Sequence, residues 1–312
     1  MGASLEGKLR SRPRRLMTLY TAALLFLIWS FLGWAMEVCV HTIKMGKYSD
    51  RGFLNSPVCP IYGFGALILR IGLGGVADNI PLVFALSMVI CTLFELIVGV
   101  AMRKLFNNIW WDYTDEKFNF HGYICLKVSL EWGLLGTVGI CGAVPLTEKI
   151  ISLLPRTLGL TLIFTGGTLL IIDTIASVAA VNRFNLKLKE ITEITDLMYE
   201  KAEEMGLSLG TAALGAQELG HDAEAGVYLA ADEISGRAKG LIDGITADVT
   251  EKQEKHREKM QKRADVYAAF TKHSMKRFIN AFPGLRSIEY NDALNKVREF
   301  LKADITSQDA TK

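Results

Sequence analysis

The sequence predicts an all-α protein, with a polytopic helical membrane domain followed by a soluble helical tail. Three observations carry that reading. Half of the 312 residues are hydrophobic, and before residue 182 they gather into about five apolar segments, the second of them short and the others near bilayer length. From Arg183 onward long apolar runs give way to charge with helical periodicity. Finally, two polar loops rich in aromatic residues, Gly and Pro separate the apolar segments, at residues 47–65 and 110–122. The expected domains are therefore a basic N-terminal segment (1–16), a membrane domain (17–182) and a tail (183–312).

The first apolar run covers residues 19–40, about 33 Å as a helix at about 1.5 Å per residue. A basic stretch, LRSRPRRLMTLY, precedes it. The run is too long for a signal peptide, carries Trp29, Trp34 and Glu37, and has no small-residue cleavage site, so it reads as a retained span. The second segment, residues 61–77, contains Gly63, Gly65, Gly72, Gly74, Gly75 and Arg70. It reads as a short span or a re-entrant piece, a form tolerated where backbone packs on protein or lines a wet cavity. A turn at Asp78-Asn79-Ile80-Pro81 leads to a third span over residues 82–102, with Glu95. A fourth, residues 123–144, holds Lys127 and Glu131; Pro145 and Pro155 bracket a connector; a fifth, residues 158–181, holds Asp173.

In the tail, Leu188, Ile191, Ile194, Leu197 and Met198 recur at helical spacing, and the first tail helix continues the fifth span. Residues 206–250, rich in Ala and Gly, read as long weak helices rather than strands. A charged stretch (251–263) leads into an amphipathic basic segment, YAAFTKHSMKRFINAFPGLRS, broken at Pro283. A last helix is expected over residues 291–302, with SQDATK frayed.

The net charge is +2, and the tail, slightly acidic, offers no basic face for nucleic acid. Lys and Arg are spread almost evenly over the two sides of a five-span arrangement, which leaves both orientations open; the tail is placed in the cytoplasm and the protein in the cell membrane as a multi-pass chain. All five cysteines precede residue 182 without CxxC or Cys/His spacing, so no metal is expected. They read as buried small hydrophobes, with Cys59, between Pro57 and Pro60, left open. No P-loop, HExxH or GxSxG occurs, so the chain has no ATPase of its own, no catalytic motif and no evident cofactor.

Ionisable residues inside apolar segments are the first candidates for function, because a charge at mid-bilayer costs about 2.5 kcal/mol or more and normally faces the bundle interior. These are Glu37, Arg70, Glu95, Lys127, Glu131 and Asp173. Arg70 and Lys127 are the available cationic partners. Gly33 and Gly99 lie four residues from Glu37 and Glu95, on the same helical faces, where small residues allow close approach. The loops supply the second set: Arg51, Asn55, Tyr62, Trp111, Asp112 and Asn119, with Tyr113 beside them. Trp110, Trp111 and Tyr113 also fit interfacial anchors. Arg51 and Asp112 are expected to pair between the loops.

The stretches SFLGWAMEV, RGFLNSPVCPIYGFGAL, TLFE and WWDYTDEKFNFHGYICL, in this order and spacing, resemble the CmpB-like family of type IV ABC-transporter permeases. KRFINAFPGLRS resembles the C-terminal end of longer members. The resemblance covers most of residues 17–190 and a patch near 275–300. It implies a small polytopic bacterial membrane protein. It also implies family roles for Gly33, Trp34, Glu37, Arg51, Gly52, Pro57, Pro60, Tyr62, Gly63, Glu95, Trp111, Asp112, Tyr113, Asn119 and Gly122. Glu131 departs from an expected apolar or aromatic residue, and residues 206–250 look like an addition. The leading expectation is a transport-related protein with inward carboxylates, working with a separate ATPase subunit or as a homo-oligomer in the lipid bilayer. Two others stay open: a membrane-anchored interaction or sensory scaffold acting through its tail, and a membrane-embedded enzyme acting on a lipid or isoprenoid head group at Arg51 and Asp112.

Overall fold

The computed structural model describes residues 17–46, 48, 51–224, 231–271 and 273–310. The basic N-terminal segment therefore lies outside the described residues. Nearly all described regular structure is helical. The chain divides into two compact units: the described residues of Met1–Asn182 with Ser274–Glu289, and those of Arg183–His273 with Tyr290–Lys312.

The first unit is an all-α membrane assembly. Helix α1 spans Leu19–Met45, opened by Thr18, whose hydroxyl accepts from Thr21 N, and closed by Gly46 in the left-handed conformation. Helix α2 spans Pro60–Leu73 and α3 spans Ile80–Phe106; Asn79 caps α3 by accepting from Leu82 N. Helix α4 (Leu126–Val138), a π-helical stretch (Gly139–Ala143) and α5 (Val144–Leu153) form one 28-residue apolar rod. Helix α6 begins at Arg156 and runs to Glu224, entering the second unit past Asn182. Among the described residues, four helices are long and apolar enough to cross a membrane: α1, α3, the α4–α5 rod and α6.

The 14 residues of α2 reach only about 21 Å, short of a bilayer core of about 30 Å. Cys141 Sγ donates to the carbonyl of Ala77 at 3.5 Å, so the turn after α2 lies beside the middle of the α4–α5 rod. The short second segment thus stops partway down its neighbours. Leu24 and Leu25 of α1, Leu69 and Leu73 of α2, Val83 of α3 and Ile140, Val144 and Ile151 of the rod form the apolar core.

Pro145 does not end the fourth span. It sits in the first turn of α5, directly after the π-helical stretch, where locally widened backbone absorbs a missing N–H. At its other end that span starts at Leu126 rather than residue 123, because β3 (Ile124–Cys125) pairs antiparallel with β2 (Asn119–Phe120) in a small hairpin. A second two-residue ladder joins β1 (Asn108–Ile109) to β4 (Arg286–Ser287), also antiparallel. Cys39 and Cys141 are exposed rather than buried as expected.

In the second unit, α6 buries Phe184, Leu188, Ile191 and Ile194; Leu197, expected on the same face, is exposed. Helix α7 spans Ala231–Ala269 and α9 spans Asn291–Ala310. Phe184 packs edge-on against Phe270 with ring centroids 5.5 Å apart, and Tyr267 against Phe300 at 5.3 Å. Helix α8 (His273–Ala281) lies, from Ser274 on, in the first unit.

Candidate functional site

Two carboxylates on apolar helices, Glu37 and Glu95, are linked through a pair of aromatic side chains, Tyr62 and Trp132. Helices α1 and α2 approach so closely that a Cβ on Gly33 would overlap the Tyr62 ring, and one on Gly63 would fall 2.6 Å from the Phe26 carbonyl and onto the Ser30 hydroxyl. That contact brings Tyr62 beside Glu37, and the phenol donates to Glu37 Oε1 at 3.0 Å. Arg51 reaches Glu37 Oε2 at 3.9 Å. On the other side, the Tyr62 ring lies 5.7 Å from the Trp132 ring. Trp132 Nε1 donates to Glu95 Oε2 at 3.0 Å, and Tyr113 OH donates to Glu95 Oε1 at 3.1 Å. Glu95 is 6% exposed; two neutral donors take the place of water around its oxygens. A cavity of about 50 Å³ opens beneath, lined by Tyr62, Glu95, Trp132, Trp29 and apolar neighbours.

The cap starts with the loop after α1. Asp173 of α6 accepts from Asn55 N at 3.1 Å, Asn55 Nδ2 at 2.7 Å, Ser56 N at 2.7 Å and the Ser56 hydroxyl. Arg277 of α8, 5% exposed, donates to the carbonyls of Gly52 at 3.2 Å, Phe53 at 2.8 Å and Leu54 at 2.5 Å. Arg51 donates in turn to the carbonyl of Ala281. A carboxylate therefore holds the amides and a guanidinium the carbonyls of one short loop.

The aromatic loop is braced from within. Asn119 Nδ2 donates to the carbonyls of Thr114 at 3.0 Å and Glu116 at 2.9 Å, and its oxygen accepts from Gly122 N at 3.2 Å. Gly122 has φ +74°, and a Cβ there would come 2.6 Å from Asp112 Oδ1. Trp111 Nε1 donates to the Tyr123 carbonyl at 3.0 Å. Asp112 accepts from Thr114 N at 3.0 Å and from the Thr114 hydroxyl, and pairs with Arg286 at 2.5 Å. The Thr114 hydroxyl first, and the Arg286 guanidinium after it, hold the Asp112 carboxyl below its usual range. The two loops meet through rings: Phe53 lies 5.3 Å from Trp110 and 5.2 Å from Phe106, while Trp110 packs on Phe282 at 4.9 Å and Phe278 at 6.1 Å.

Several expectations need correction. Arg51 and Asp112 do not pair, because the segment 274–289 supplies each with a nearer partner, the Ala281 carbonyl and Arg286. Arg70 does not serve Glu37 or Glu95; it pairs with Glu148 of α5 at 2.6 Å. Lys127 and Glu131 are exposed, and Lys127 pairs with Glu116 of the aromatic loop at 3.0 Å rather than with Glu37 or Glu95. Trp110 is 4% exposed and Tyr113 serves Glu95, so neither is a lipid-facing anchor. Asp173, Asn55 and Asn119 hold loops in place rather than line the cavity.

Sequence reasoning missed Trp132, Glu148, Arg277 and Arg286. For Trp132 the usable signal was its position one residue past Glu131 on an apolar span. For the arginines it was the amphipathic KRFINAFPGLRS stretch, which carries two of them beside Phe278 and Phe282.

Residues 24–178 match the family described as "Putative ABC-transporter type IV". No curated protein and no solved structure is significantly similar to the chain.

Proposed function

We propose, for a chain that belongs through residues 24–178 to this CmpB-like family of ABC-transporter membrane proteins, that it is the permease component of a transport complex. The cavity beside Glu95 would be part of the substrate path. The observation that carries this reading is Glu95 itself: a carboxylate 6% exposed, on a helix of bilayer length, held by Tyr113 and Trp132. Such a group is expensive to keep inside an apolar bundle without a use. Trp132, which bonds Glu95, lies against the ring of Tyr62, and Tyr62 bonds Glu37, beside Arg51; this chain would tie the intramembrane charge to the cap.

Energy would come from a separate ATPase subunit docking on the cap side, with the chain multi-pass in the cell membrane and the tail in the cytoplasm. Affinity purification from membranes tests the partnership: an ATPase subunit should be recovered with the full chain. Glu95→Gln, expressed at the normal level, should abolish transport by the complex while leaving its assembly intact. Full transport in Glu95→Gln would remove the carboxylate from the mechanism.

The rival, an interaction scaffold acting through its tail, has one observation in its favour: the second unit has a ring-packed core of its own around Phe184 and Phe270. Phe270→Ala separates the two. Lost function with the membrane unit intact favours the scaffold, and retained function favours the permease.

A further inference from the structure

A second cavity, of about 200 Å³, lies within the cap, and Glu95 is not among its lining residues. Arg103, Trp110, Trp111, Asp112, Tyr123 and Arg286 are the lining residues that decide its chemistry. We infer that it is a binding site for a phosphate group, supplied by the head group of a phospholipid or by a soluble phosphate compound.

The donors come first. Arg103 lies in the last turn of α3, where a helix of bilayer length leaves its apolar stretch. It spends one N–H on the Tyr123 hydroxyl at 3.0 Å and lies over that ring at 5.5 Å. Arg286 arrives on β4 from the other end of the chain and spends Nη1 on Asp112 at 2.5 Å. A guanidinium has five N–H donors in a planar fork suited to phosphate oxygens, so both keep donors beyond these bonds.

Trp110, 4% exposed and packed among Phe53, Phe106, Phe278 and Phe282, gives the cavity one rigid apolar wall. Phosphate oxygens are acceptors only. Asp112 opposes an anion, but it also fixes Arg286, and two guanidiniums against one carboxylate leave the cavity positive. Trp111 and Tyr123 give the site an amphipathic wall of the kind found at the edge of a bilayer.

The test uses purified full-length protein in a neutral detergent, with binding followed by native mass spectrometry and thermal stability. The probes are dioctanoyl phosphatidylglycerol, inorganic phosphate and dioctanoylglycerol, which has the same tails without phosphate. The expected result is stabilisation by a phosphate-bearing probe and none by dioctanoylglycerol. Phosphatidylglycerol acting alone identifies a lipid source; inorganic phosphate acting equally well identifies a soluble one. Arg286→Gln and Arg103→Gln should each weaken binding by about fivefold or more, and Arg286→Lys by less. Arg286 is exposed, so its variants should fold. Failure of both phosphate probes, or unchanged affinity in Arg286→Gln, overturns the assignment. Neither outcome depends on whether Glu95 serves transport.

Discussion

Single atoms decide how α1 meets α2. A methyl at Gly63 would press on the Phe26 carbonyl, which cannot step aside, whereas a Cβ on Gly65, two residues on, meets nothing within 4 Å. Gly63→Ala should therefore destabilise the membrane unit by about 1–3 kcal/mol, and Gly65→Ala should leave its thermal midpoint in detergent unchanged. Equal effects would mean the two helices do not pack as described. Asp112 gives a pH-dependent counterpart. Its carboxyl is held below the ordinary aspartate value of 3.8, by the Thr114 hydroxyl above all. It therefore stabilises the folded cap above that value, and the contribution is lost as pH falls through the lower folded one. Asp112→Asn should lower the thermal midpoint at neutral pH, and the gap to the parent protein should close as the pH drops below the ordinary value. At this scale the sequence was informative where a rare residue interrupted an apolar run. Glu37, Glu95, Gly33 and Gly99 stood out for that reason. It was silent on Trp132, because a tryptophan in an apolar helix has many ordinary uses.

Elements explain which partners each charge finds. The loop of residues 51–58 has little regular structure, and its backbone groups are satisfied by two side chains, Asp173 and Arg277. Arg277→Leu would strand two buried carbonyls and a half-buried one, so a loss of about 3 kcal/mol is expected. The first visible sign should be new proteolytic cleavage between residues 51 and 58, with Arg277→Lys intermediate. Normal protease resistance in Arg277→Leu would mean that Asp173 alone holds the loop. The apolar helices were readable from run length, and their ends were less so. Pro145 looks like a terminator by local rules, yet a π-helical stretch before it lets the rod continue to Leu153. The start of α4 was obscured because Tyr123 and Ile124 are apolar enough to pass for helix while belonging to a hairpin. The Arg51–Asp112 pairing failed for a related reason: loop charges are claimed by whichever element passes nearest, and that element came from more than 160 residues further along the chain.

At the scale of the whole molecule, composition divided the chain where the apolar runs stop, while packing returns one tail segment to the membrane unit. Residues 274–289 read as tail because they are basic and follow a charged helix, yet Phe278 and Leu285 are each 1% exposed within the first unit. No local pattern marks such a return, since an amphipathic helix looks the same whichever apolar surface it covers. Burial of Phe278 against Phe53 and Trp110 implies that Phe278→Ala removes about 3–5 kcal/mol from the membrane unit. A pair of truncations isolates the segment. A chain ending at residue 273 lacks α8 from Ser274 onward and β4; one ending at residue 289 keeps both, and each lacks α9. The longer chain should retain the protease resistance of the cap and the thermal midpoint of the membrane unit. The shorter should lose both, because Trp110 and Phe53 are uncovered and the carbonyls of Gly52, Phe53 and Leu54 lose their guanidinium. Equal behaviour of the two chains would mean that the membrane unit completes itself without its C-terminal strap, and the cap would then have to be redrawn from the two loops alone.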